Sequence, residues 1–189
     1  MSEEALEELF LFGEEKMEKA LNQLRKEFGS IRSGRANPMI LDKVTVDYYG
    51  APTPLRQMSQ VTVQDGITLV ISPYDKSVIK DIEKALIKAE IGVAPNSDGM
   101  VIRLTFPPLT EERRREISKD VKKLGEDAKV AVRNIRRDMT DDLKKLEKSE
   151  NLPEDVVKDN HDEIQKLTDK YTRMIDSAAA EKEKEVLTV

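Results

Sequence analysis

Ten lysines and arginines fall within residues 113–137: Arg113, Arg114, Arg115, Lys119, Lys122, Lys123, Lys129, Arg133, Arg136 and Arg137. Four acids, Glu116, Asp120, Glu126 and Asp127, stand among them, so the segment carries +6 and the rest of the chain −11. A guanidinium grips phosphate through two parallel N–H groups and stacks on bases, which suits such a run to a nucleic-acid backbone. The same run suits a solvated helix face with its own ion pairs. Ten cations to four acids is poor internal pairing. On a chain of net charge −5, a local basic stripe points to a selective polyanion contact rather than general adhesion.

Little else in the chain could do chemistry. There is no cysteine, which excludes disulfides, thiolate nucleophiles and cysteine zinc sites. His161 is the one histidine, so no multi-histidine metal site can form. It falls on an apolar seam without a nucleophile partner and reads as a packing or helix-end residue. No carboxylates stand at a metal-binding or paired-acid spacing. Arg32-Ser33-Gly34-Arg35 has no phosphate-loop spacing; its arginines could touch RNA or shape a junction between domains. Tyr48-Tyr49 reads as a strand pair, because successive strand residues face opposite ways. Aromatics are 4% and Trp is absent, which argues against a broad base-stacking platform. The expectation is a protein that is not an enzyme and uses no cofactor or metal.

The elements that carry these residues follow from the turn-makers. Six of eight glycines and seven of eight prolines lie between Gly29 and Pro108, so both flanks are free to form long helices. In the first flank Leu6, Leu9, Gly13, Met17, Leu21, Leu24 and Phe28 make one seam, and Gly29 suits a left-handed C-cap. In the middle, Val44, Val46 and Tyr48 alternate with polar residues. Gln64-Asp65-Gly66 between two β-branched runs predicts a hairpin. Residues 76–90 return to helical spacing, and Met100–Phe106 form a last strand before Pro107-Pro108. The second flank opens at Thr110, an N-cap followed by Glu111 and Glu112. Its seam runs Ile117, Val121, Leu124, Ala128, Ala131, Ile135, Met139, Leu143 and Leu146. After a break at 149–152, Pro153 precedes a third seam from Val157 through His161, Ile164, Leu167, Tyr171 and Ile175 to Ala178.

Short breaks make neighbouring helices antiparallel, and no single seamed helix is stable alone in water. The fold class is therefore α+β. Residues 1–29 and 108–189 form a long antiparallel three-helix bundle, and residues 30–107 an inserted small β/α/β domain. Crossings at 29–37 and 105–109, with Gly29, Gly34, Pro107 and Pro108, are candidate hinges. On a wheel the seam of the second flank lies about 150° from Arg115, Lys119, Lys122, Lys129, Arg133, Arg136 and Arg137, which places them on solvent. No stretch approaches the roughly 20 apolar residues of a membrane span, and the acidic N-terminus does not resemble a signal peptide. The expected location is the cytoplasm. Composition and spacing stop there, at a protein that docks on RNA or serves as a helical adaptor or chaperone-like binder.

Several segments resemble the bacterial ribosome recycling factor family: Ile31-Arg-Ser-Gly-Arg-Ala-Asn-Pro38, Val46-Asp-Tyr-Tyr-Gly-Ala-Pro-Thr-Pro-Leu-Arg-Gln57, Pro95-Asn-Ser-Asp-Gly99, Ile102 to Arg114, and Ala131-Val-Arg-Asn-Ile-Arg-Arg-Asp138. The resemblance implies an L-shaped pair of domains without catalytic activity. It implies binding to the post-termination 70S ribosome, with the bundle on large-subunit ribosomal RNA. Elongation factor G with GTP would then separate the subunits and free messenger and transfer RNA, and initiation factor three would keep the subunits apart. The family's RNA-contacting arginines fall on Arg114, Arg133, Arg136 and Arg137, and less firmly on Arg32 and Arg35. Lys122, Lys129, Arg115 and Lys119 join them as members of the stripe. A cytoplasmic monomer is expected, and Arg136→Ala should weaken ribosome binding with the bundle intact. Glu126 within the stripe, Pro153 in place of a polar cap and the acidic first helix depart from the family pattern.

Overall fold

The computed structural model describes residues 2–31 and 34–187. In chain order the helices are α1 (Ser2–Gly29), α2 (Leu55–Met58), α3 (Ile79–Lys88), α4 (Glu111–Ser149) and α5 (Glu154–Leu187). The chain forms two compact units. One joins the residues up to Phe28 with those from Arg115 onward, and the other is Gly29–Arg114.

The helical unit is built on rows of buried residues. In α1 they are Leu9, Gly13, Met17, Leu21, Leu24 and Phe28, spaced by threes and fours. In α5 they are Val157, Ile164, Thr168, Tyr171, Ile175, Lys182 and Val186. The buried Thr168 hydroxyl donates to the Ile164 carbonyl at 2.8 Å, so its burial leaves no orphan. Each fully buried leucine here, such as Leu21 or Leu143, contributes on the order of 1.5–3 kcal/mol by leaving water. The Thr110 hydroxyl accepts the Arg113 amide at 3.1 Å and caps α4. Gly13 permits a close approach, since a Cβ there would collide with the Met139 thioether.

Two expectations need correction. Gly29 ends α1 without the left-handed backbone of a glycine cap; the positive φ, 85°, falls at Gly34. The buried row of α4 is Ile117, Ser118, Val121, Gly125, Val132, Met139 and Leu143, while Leu124, Ala131 and Ile135 are only partly covered. Small residues at 118 and 125 let α5 approach; a Cβ on Gly125 would stand 3.4 Å from that of Ala179. The shift brings the centre of burial to about 100° from the basic stripe, so the stripe flanks the α5 contact.

The α/β unit holds two antiparallel sheets. Strands β1 (Thr45–Tyr48) and β2 (Ala51–Pro54) pair alone. Tyr49 and Gly50 between them both have positive φ, as a tight hairpin turn requires. The second sheet has the order β3-β4-β6-β5, with β3 at Ser59–Gln64, β4 at Thr68–Pro73, β5 at Asn96–Ser97 and β6 at Ile102–Thr105. Alternation turns Leu69 and Ile71 of β4 and Ile102 and Leu104 of β6 into one core. Helix α3 contributes Ile79, Ile82 and Leu86 to it. A 3-10 helix at Pro38–Lys43, capped by the Asn37 side chain, adds Leu41. No helix of the described residues is long and apolar enough to cross a membrane.

Candidate nucleic-acid interface

Six basic residues of α4 sort into two rows with different surroundings. Lys122, Lys129 and Arg136 stand seven residues apart and face α5. On α5, Glu183, Asp176 and Asp169 also recur every seventh residue, in the opposite direction. Lys122 Nζ lies 3.4 Å from Glu183 Oε1. Lys129 Nζ lies 2.9 Å from Asp176 Oδ1 and 2.8 Å from Glu126 Oε1. Arg136 Nη1 donates to Gln165 Oε1 at 3.2 Å, and Gln165 Nε2 donates to Asp169 Oδ1 at 2.9 Å. The Ser118 hydroxyl adds a 2.6 Å bond to Glu183. These contacts form a ladder that fixes the antiparallel register of α4 and α5.

Lys129 therefore departs from its expected place on solvent: its side chain is only 19% exposed. Hydrogen bonds to Glu126 and Asp176 push its ammonium pKa up. Burial at Gly125 and Val132 rather than at Leu124 and Ala131 is the cause, because it rotates Lys129 toward α5. Lys122 remains exposed but shares Glu183. Glu126 of α4 pairs with Lys129, but the other acids of this row, Asp176 and Glu183, lie on α5, beyond the reach of a charge count along α4. The recurrence of Asp169, Asp176 and Glu183 was the available signal.

The other row is Lys119, Arg133 and Arg137, all exposed and without an ion pair among the described residues. Arg133 and Arg137 stand four apart, one above the other on the helix surface. Like charges at that spacing destabilise a helix by a few tenths of a kcal/mol. Arg136, in the row that faces α5, has its Nε buried and unpartnered among the described residues. An anion beside Arg133, Arg136 and Arg137 would find two free guanidiniums and a third held in place by Gln165.

The remaining candidates are dispersed. Arg114 groups with the α/β unit; its amide donates to the Thr110 carbonyl at 3.0 Å and its Nε is buried without a partner among the described residues. Arg115 and Arg35 are exposed, and Arg32 lies outside the described residues. Gly34 packs beside Leu109, while Pro107 and Pro108 are exposed. His161 is half-buried in α5. No group of three or more His, Asp or Glu among the described residues could hold a metal ion.

The family model described as Ribosome recycling factor matches residues 24–187, a stretch that includes all of α4 and α5. The chain belongs to the ribosome recycling factor family. A family member from Geobacillus sp. (strain WCH70) is 58% identical over 175 residues, covering 93% of this chain and 95% of its own. One from Bacillus subtilis (strain 168) is 56% identical with the same coverage. A solution structure of the ribosome recycling factor superposes with a TM-score of 0.83 at 37% identity, covering 97% of this chain and 98% of that one. A second structure represents the T. thermophilus ribosome recycling factor and the E. coli elongation factor G bound to the E. coli post-termination complex. Its TM-score is 0.67 at 42% identity, with 96% of this chain and 98% of that one covered.

Proposed function

We propose that this protein recycles ribosomes after termination. It binds the post-termination 70S ribosome through arginine–phosphate contacts of α4 with large-subunit ribosomal RNA. Elongation factor G then acts on it, GTP hydrolysis on that factor supplies the work, and the subunits part to free messenger and transfer RNA. The protein transmits force and performs no reaction of its own. Family membership supports the process, and a relative on a post-termination complex with elongation factor G supports the partners. The observation that carries the contact is the exposed, unpaired pair Arg133 and Arg137 beside the anchored Arg136. In this reading the crossings with Gly29, Gly34, Pro107 and Pro108 let the two units move during the process.

Co-sedimentation with vacant 70S ribosomes across a salt series tests it. Wild type should pellet with an affinity that falls as salt rises. Arg133→Ala/Arg137→Ala should pellet less, with a salt slope shallower by about one for each phosphate that is no longer neutralised. This pair is a cleaner probe than Arg136→Ala, which also removes a bond to α5. Equal pelleting of both proteins at every salt would move the contact off α4. Failure of both to pellet at low salt would favour a helical adaptor.

A further inference from the structure

Three of the four tyrosines of the chain gather at one cleft of the α/β unit. Tyr48 and Tyr74 line it, above buried Met58 and Val78, around a volume of about 230 Å³. The Tyr49 ring packs edge-on against Tyr48, with centroids 4.6 Å apart. Tyr74 is 72% exposed and Tyr49 81%, so these rings are not spent on the core. Exposed tyrosines around a concavity are the usual anchors of protein interfaces.

Asp75 gives the cleft its sign. Its Oδ1 accepts the Ser77 hydroxyl at 2.6 Å and the Ser77 amide at 2.9 Å, and its Oδ2 accepts the Tyr48 hydroxyl at 3.3 Å. The Ser77 bonds hold the carboxyl below the usual carboxylate range, so it is an anion at neutral pH. The neighbouring Lys76 does not neutralise it. Its ammonium donates instead to the Ser72 hydroxyl at 3.2 Å and to the Met100 carbonyl at 2.9 Å. Asp75 makes no ion pair among the described residues. Electron-rich ring faces beside an unpaired carboxylate attract a cation and repel a phosphate. A flat guanidinium can stack on a ring while an N–H reaches the carboxylate, which an ammonium does less well.

We propose that this cleft is a docking site for an arginine side chain presented by a segment of a protein partner. The site belongs wholly to the α/β unit and does not draw on the α4 arginines.

An NMR titration of the full chain, with labelled tyrosine rings, tests it using three probes. These are acetyl-Gly-Arg-Gly-amide, acetyl-Gly-Gln-Gly-amide and a uridine tetranucleotide. The arginine peptide should shift the Tyr48 and Tyr74 ring signals saturably, while the glutamine peptide leaves them in place. Asp75→Asn and Tyr74→Ala should each weaken the arginine peptide by about fivefold, whereas Tyr74→Phe, which keeps the ring face, should retain it. Asparagine preserves an acceptor for Ser77, and an unchanged melting temperature for that variant ensures that the fold is not what was lost. Equal shifts from the glutamine peptide, undiminished binding in Asp75→Asn, or preferential binding of the tetranucleotide at these rings would each overturn the proposal.

Discussion

At Asp98 a single carboxylate closes the turn between β5 and β6. Its Oδ1 accepts the amides of Met100 and Val101, each at 2.9 Å, and its Oδ2 accepts Arg103 Nη1 at 2.9 Å. The two backbone bonds, and then Arg103, hold the carboxyl far below the usual range. In the unfolded chain the same group titrates near about pH 4. Above that value the folded state has the full benefit of the anion. As pH falls, the unfolded chain takes up the proton first and the benefit drains away. Wild type should therefore lose stability between about pH 5 and pH 2 more steeply than Asp98→Asn, whose side chain cannot titrate. Denaturant unfolding at a series of pH values measures the two slopes, and parallel slopes would show that Asp98 is not responsible. The same scale shows what one residue type conceals. Arg133 and Arg136 are three residues apart and chemically identical, yet only the first is free of a partner on α5. Residue identity was plain in the sequence; the partner, on a helix that packs alongside, was not.

The elements differ in how they were legible. The long helices announce themselves by repeated spacing, and the hairpin at Gln64-Asp65-Gly66 by its turn chemistry: Asp65 and Gly66 take φ of 55° and 72°. Helix α2 and the 3-10 helix at Pro38–Lys43 are too short to show a period, so both passed unnoticed. Within α4 the seam drifted because Gly125 and Ser118 do not score as apolar, yet they are the places where α5 comes close. The ladder between those helices can be tested by exchange. Lys129→Glu should cost about 1–2 kcal/mol, since it breaks the Asp176 pair in a largely covered place. Adding Asp176→Lys should recover part of that, with Glu126 limiting the recovery; thermal unfolding of the three variants gives the coupling. Two glycines in the same unit should respond with opposite signs. Gly13→Ala drives a methyl into Met139 and should destabilise by about 1–3 kcal/mol, a cost that disappears in a Met139→Ala background. Gly125→Ala meets Ala179 at ordinary packing distance and should gain up to about 1 kcal/mol of helix propensity. A loss at both positions would mean that α4 and α5 are packed without slack.

For the molecule as a whole, the uneven placement of glycine and proline revealed a helical body interrupted by a smaller α/β body, and the basic segment singled out α4 as the helix proposed to meet a polyanion. What stayed hidden was the division of labour among the cations, because charge balance depends on folded neighbours. The order of the pieces along the chain has a further consequence for how the protein comes into being. The α/β unit is made of consecutive residues, Gly29–Arg114, and can close as soon as they have left the exit tunnel. Helix α1 is synthesised first but keeps its apolar row uncovered until α4 and α5 have followed it. The bundle therefore closes only after its last helix has joined the other two.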